Sequence, residues 1–122
     1  MEPKLFDSER KVMEVLWEAD APVTAKEIAA RLSERVGWNK NTTYTVIKKC
    51  IAKGAIERSE PRFLCHALIP KEAVQEAETD ELIGKLFDGS VDKLFVALLG
   101  SKRLSADQIA RLKELVDREA EQ

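Results

Sequence analysis

Hydrophobic residues recur at helical spacing through the first half of the chain. Val12, Met13, Leu16 and Trp17 share one side of a helix predicted from about Asp7 to Glu18, with Asp7 or Ser8 to cap its free N–H groups. Ala21-Pro22 ends it. A short second helix is better signposted. Thr24 and Glu27 have capping-box spacing, Val23 and Ile28 flank them as a hydrophobic staple, and Gly37 closes an apolar side of Ile28, Ala29 and Leu32. A third helix is predicted from near Asn41 to a stop at Gly54. Thr43, Val46, Ile47 and Cys50 fall at i, i+3, i+4 and i+7, which makes them its buried stripe. Asn41, Thr42, Tyr44, Thr45, Lys48 and Lys49 are left for the outer side, a polar, basic and aromatic set without a carboxylate.

After Gly54 the period changes from helical to alternating. Ala55–Ser59 and Phe63–Ala67 read as two short strands around a Glu60-Pro61-Arg62 tip. Three helices followed by a hairpin is the layout of a winged helix-turn-helix, with the second helix supporting and the third recognising. From Lys71 the chain is helical again. Lys71–Phe87 carries Val74, Leu82, Ile83, Leu86 and Phe87, and Asp88-Gly89-Ser90 breaks it. Val91, Leu94, Phe95, Leu98 and Leu99 then form an amphipathic stripe up to Gly100. In the last helix, Ser105 and Gln108 form a capping box, Leu104 and Ile109 a staple, and Ile109, Leu112, Leu115 and Val116 an apolar face. The expected fold is mainly α. A winged helix-turn-helix domain over residues 1–70 is followed by a three-helix dimerisation region over residues 71–122.

Charge sharpens that division. The 122 residues carry a net charge of -2, but residues 1–70 hold 12 Lys/Arg against 10 Asp/Glu, and residues 71–122 hold 8 against 12. Between Arg35 and Arg62 there are 7 basic residues against 2 acidic ones. Such a window fits a polyanion, because neutralised phosphates release counterions; a solvated face on a protein-binding winged helix is the competing reading. On the first reading Asn41, Thr42 and Thr45 contact bases or groove, and Tyr44, Lys48 and Lys49 add groove and phosphate contacts. Arg58 and Arg62 on the wing then reach phosphate or minor groove.

Three amphipathic helices of this size need something to cover their stripes. A second copy of the chain is the expected cover, because readers of this kind bind paired half-sites. The interface then comprises Leu82, Leu86, Phe87, Val91, Leu94, Phe95, Leu98, Ile109, Leu112 and Val116. No stretch is long and apolar enough to span a bilayer, and no signal peptide opens the chain, so a cytoplasmic address is expected.

The remaining chemistry is sparse. Cys50, Cys65 and His66 are the only metal-capable group beyond carboxylates. Their spacing is not a CxxC, and alternation sends Cys65 and His66 to opposite faces of a strand. No cofactor or metal site is assigned, although a metal- or redox-sensing repressor using Cys50 and Cys65 stands as an alternative beside the adaptor. One histidine, no nucleophile elbow and no phosphate loop leave no catalytic constellation, so no enzyme is expected.

The runs VMEVLWE (12–18), VTAKEIAARL and GWNKNTTYTVIKKCIAKGAIER (37–58) resemble the penicillinase-repressor group of bacterial regulators, which includes methicillin-resistance and copper-responsive repressors. KLFDGSVDKLFVALL resembles its dimerisation segment, and the likeness extends over roughly Leu5 to Val116. The resemblance implies a homodimeric winged-helix repressor that binds a palindromic operator and silences resistance genes. In the beta-lactam branch a membrane-bound sensor peptidase triggers cleavage at an Asn-Phe pair; the matching place here is Ala97-Leu98, which has neither residue. The copper branch uses a C-terminal cysteine cluster, and residues 71–122 contain no cysteine. The tip is about one residue shorter than the family's usual Asp-Gly-Arg wing and carries Pro61 instead.

Overall fold

The computed structural model describes residues 4–121. Helix α1 spans Asp7–Ala19, and its start differs from the expected Asp7 or Ser8 cap. Phe6 occupies the N-cap position. A phenyl ring cannot accept a hydrogen bond, so the Glu9 carboxylate folds back to accept the Phe6 N–H at 2.7 Å. Strand β1 is only Val23–Thr24, too short to have carried any alternation in the sequence. Helix α2 follows as Ala25–Val36, with Thr24 Oγ1 accepting the Glu27 N–H and Gly37 leaving at φ 73°. Only half of the expected capping box forms there, because the Glu27 carboxylate accepts from Arg31 at 3.1 Å instead.

Helix α3 spans Lys40–Ala52 and is capped by Asn39, whose Oδ1 accepts the Thr42 N–H at 2.8 Å. Its end is a Schellman motif. The Ala55 N–H donates to the Cys50 carbonyl and the Gly54 N–H to the Ile51 carbonyl, with Gly54 at φ 82°. Strands β2 (Ile56–Ser59) and β3 (Leu64–Ala67) form the expected hairpin. β3 is the centre of a three-stranded antiparallel sheet in the order β1-β3-β2. Arg58 lies opposite Cys65 and Val23 lies opposite Cys65 from the other side.

The N-terminal core is drawn from every one of these elements. Met13, Ile28, Leu32, Ile47 and Ile56 are fully buried, and Thr43, Val46 and Cys50 join them from α3 as the periodicity predicted. Helix α4, Lys71–Leu86, adds Val74 to this core, with Ala73 packed against it. Trp17 fixes the approach to α4 by donating from Nε1 to the Ile69 carbonyl at 2.9 Å. The chain divides into two compact units at Glu78–Thr79, so α4 runs from the first into the second.

The second unit completes with α5 (Val91–Gly100) and α6 (Ala106–Ala120). Ser90 caps α5 through the Lys93 N–H. The capping box of α6 is complete, since Ser105 and Gln108 exchange hydrogen bonds of 2.8 and 3.1 Å. Neither α5 nor α6 has a buried residue. Among the described residues, no helix is long and apolar enough to cross a membrane.

Candidate nucleic-acid interface

Because Thr43, Val46, Ile47 and Cys50 turn inward, α3 must turn its other side to solvent. Asn41, Thr42, Thr45, Lys48 and Lys49 are all exposed there, and Asn41, Thr45 and Lys48 follow one another at i, i+4 and i+7. The Thr45 hydroxyl donates to the Asn41 carbonyl at 2.9 Å, which leaves its oxygen able to accept. Lys48 and Lys49 make no ion pair among the described residues. No acidic residue occupies the first turn of α3. The result is an exposed helix face of amide, hydroxyl and ammonium groups, donors and acceptors of the kind that read base edges and phosphates.

Tyr44 is placed differently from its neighbours. It is half-buried and meets the Phe63 ring edge-on, with centroids 5.8 Å apart and planes at 89°. The ammonium of Lys40, the first residue of α3, sits 5.5 Å from the Tyr44 centroid. Tyr44 therefore joins the recognition helix to the wing. Lys40, one of the seven cations between Arg35 and Arg62, joins the exposed cationic set through it.

The wing tip turns through a cis Glu60–Pro61 bond, with Arg62 at φ 69° and Phe63 at φ 51°. Arg62 is exposed at the tip without an ion pair among the described residues. Arg58 is held. Its guanidinium lies 3.6 Å from the centroid of Phe63, and its Nε donates to Glu60 Oε2 at 2.6 Å. Glu60 Oε1 accepts the Phe63 N–H at 3.3 Å. These two hydrogen bonds, from Arg58 first and the backbone second, hold the Glu60 carboxyl below its ordinary range.

Two more cations of the basic window are structural. Arg35 makes a paired contact with Glu18, at 3.1 and 2.6 Å, which ties α2 to α1. The Lys53 ammonium donates to the buried Glu9 carboxylate at 2.6 Å and to the Lys4 carbonyl at 2.7 Å, and lies 4.1 Å from the Phe6 centroid. Lys40, Lys48, Lys49 and Arg62 remain as the solvent-facing charge around α3 and the wing.

The two cysteines are core residues. Burial pushes the Cys50 thiol up to about 12, with Glu9 adding to the shift, and burial pushes the Cys65 thiol up to about 11. Thiols held this far above neutrality are protonated, whereas a metal ligand or reactive nucleophile must be thiolate. His66, on the adjacent strand position, pairs its Nε2 with Ser59 Oγ at 2.8 Å.

In the second unit, the expected interface residues Leu82, Leu86, Val91, Phe95, Ile109, Leu112 and Val116 are all exposed. Phe87, Leu94 and Leu98 are half-exposed. Val96, which the stripe did not include, is 68 % exposed, and Leu99 and Leu115 are exposed as well. Ala97 and Leu98 lie within α5, and their carbonyls accept from the Ser101 N–H and Ser101 Oγ respectively.

Comparison with known proteins gives a consistent family pattern. A family model described as Penicillinase repressor matches residues 5–118. The penicillinase repressor of Bacillus licheniformis is 24% identical over 117 residues, covering 94% of this chain and 91% of the relative. The methicillin resistance regulatory protein MecI of Staphylococcus aureus (strain N315) is 21% identical over 117 residues, covering 94% of each chain. Among solved structures, the solution structure of the DNA binding domain of the repressor BlaI aligns with a TM-score of 0.52 and 27% identity. It covers 58% of this chain and 90% of that chain.

Proposed function

The chain belongs to the penicillinase-repressor family, a family of transcriptional repressors and not of enzymes, and from that membership and the geometry of α3 we propose how it acts. It is a homodimeric repressor of a resistance-type operon that binds a palindromic operator through two winged-helix units. One observation carries the reading: an exposed, carboxylate-free polar and basic face on α3, joined to a wing through Tyr44 and Phe63.

In this reading Asn41, Thr42 and Thr45 reach base edges or groove, Tyr44 sets the helix against the wing, and Lys48 and Lys49 reach phosphates. Lys40 and Arg62 extend the phosphate set. Arg58 carries a counter-charge in the free protein. The exposed apolar residues of α4, α5 and α6 are covered by a second copy, which places two recognition helices on successive half-sites. Repression is steric exclusion of polymerase. It ends when the dimer is lost, because two linked half-site contacts become far weaker once separate. A membrane-bound sensor peptidase acting near Ala97-Leu98 is one route to that loss. It would require α5 to open, since both carbonyls are engaged there.

The test is fluorescence anisotropy with DNA from upstream of the protein's own gene, beside scrambled DNA, across a salt series. Tight, two-protomer binding to the native fragment supports the dimeric repressor. No binding to either DNA at low salt overturns it and favours a winged-helix adaptor for another protein.

A further inference from the structure

Arg58 and Glu60 do not behave as two independent surface charges. Glu60 grips the wing with both oxygens, Oε2 on Arg58 Nε at 2.6 Å and Oε1 on the Phe63 N–H at 3.3 Å. The Phe63 ring supports Arg58 from beneath at 3.6 Å and touches Tyr44 of the recognition helix on its edge. The Phe63 carbonyl accepts the Ala25 N–H at 2.9 Å, at the first residue of α2. Two consecutive non-glycine residues, Arg62 and Phe63, adopt left-handed backbone to make this arrangement, a conformation retained only where surroundings over-determine it. The cation and the carboxylate are thus paired beside the recognition helix, with both side chains partly open to solvent.

Resting on the DNA-binding reading above, we propose that Glu60 sets the phosphate-driven affinity of the wing: it masks Arg58 from phosphates and so lowers binding to DNA of any sequence. Non-specific affinity comes almost wholly from cations meeting phosphates. A cation already paired within hydrogen-bond distance releases no additional counterion when a phosphate approaches, and its carboxylate repels that phosphate. Arg62, two residues further along the tip, has no such partner among the described residues and keeps its full charge. The wing therefore holds one open and one masked arginine. The mask takes one phosphate contact from the wing on every sequence alike.

The experiment compares the full-length wild type, Glu60→Gln, Arg58→Gln, the double variant and Glu57→Gln on a random-sequence duplex across a salt series. Glutamine keeps an oxygen able to accept the Phe63 N–H, so the turn retains that hydrogen bond. Glu60→Gln is expected to bind the random duplex several-fold more tightly, with its log–log salt slope steeper by roughly 0.9, the value for one more neutralised phosphate. Arg58→Gln alone leaves the Glu60 carboxylate without its cation, and it is expected to bind the random duplex more weakly than wild type. The double variant is expected to return to wild type, while Glu57→Gln, the same change of charge at an exposed β2 carboxylate, is expected to keep the wild-type affinity. Together these assign the gain to Arg58 and not to a general change of charge. A Glu60→Gln protein that binds random DNA no more tightly overturns the proposal, and so does a double variant that keeps the gain. Wild-type protein that binds no DNA at low salt is a different failure, that of the DNA-binding reading itself.

Discussion

Lys48 and Lys53 lie five residues apart at the end of one helix, yet their removal is expected to act on different properties. Lys48 is exposed and unpaired among the described residues, so Lys48→Ala is expected to weaken binding to all DNA sequences alike and to flatten the salt slope by about one unit. An unchanged slope in anisotropy titrations would remove it from the phosphate set. Lys53 instead neutralises Glu9, whose side chain is 2% exposed. Breaking a buried pair from one side leaves an uncompensated charge; with Lys53 itself about a quarter exposed, Lys53→Ala is expected to cost about 2 kcal/mol. Urea unfolding reads that loss, and the DNA salt slope should stay where it was. Composition and spacing placed both lysines in one basic window. Only the position of Glu9, three residues into a helix that begins with a phenylalanine cap, separates them.

At the scale of elements, the junctions decide whether the recognition helix is held in place. The Schellman ending of α3 needs Gly54 at φ 82°, and apart from its own chain neighbours no atom lies within 4 Å of where a Cβ would stand. Gly54→Ala is therefore expected to cost about 1 kcal/mol from backbone conformation alone, without a steric clash. A loss several times larger in thermal unfolding would show that the junction has other constraints. The α1–α2 junction is electrostatic. Arg35 first of all, through its hydrogen bonds, holds the Glu18 carboxyl below its ordinary value. A carboxylate with a lowered folded value contributes stability above its unfolded value, and this is lost as pH falls through the folded value. Glu18→Gln should accordingly fall slightly below wild type at neutral pH and converge with it in acid. The pair is solvent-exposed, so the difference will be small. An equal offset at both pH values would assign it to something other than this ionisation. The helix starts at Thr24 and Ser105 were legible because capping is local chemistry, whereas α3 is capped at Asn39, ahead of the start expected near Asn41. Strand β1 was not, because two residues acquire strand character only from β3 beside them.

Across the whole molecule, the two units differ in what they bury. The first closes a core from α1, α2, α3, the sheet and the start of α4. The second leaves α5 and α6 without a buried residue and exposes a run of large apolar side chains. These exposed side chains are the surface that the proposed second copy would cover. Leu86 is 70 % exposed in the single chain, so Leu86→Asp removes little packing from the isolated fold. It is expected to give a folded monomer with poor operator affinity, checked by light scattering beside circular dichroism. A variant that remains dimeric would displace Leu86 from the proposed interface.

The sequence by itself determined the helices, their inward faces and the acid-free outer face of α3, because periodicity and capping act over a few residues and need no partner. It also carried enough of the family pattern for membership to be read from residues 12–18 and 37–58. It did not determine which of the seven cations in the basic window are available to a polyanion. That depends on carboxylates brought close from elsewhere in the chain: Glu9 to Lys53 and Glu18 to Arg35 across helices, and Glu60 to Arg58 around a turn. Charge is a property of a residue, but unpaired charge is a property of the fold.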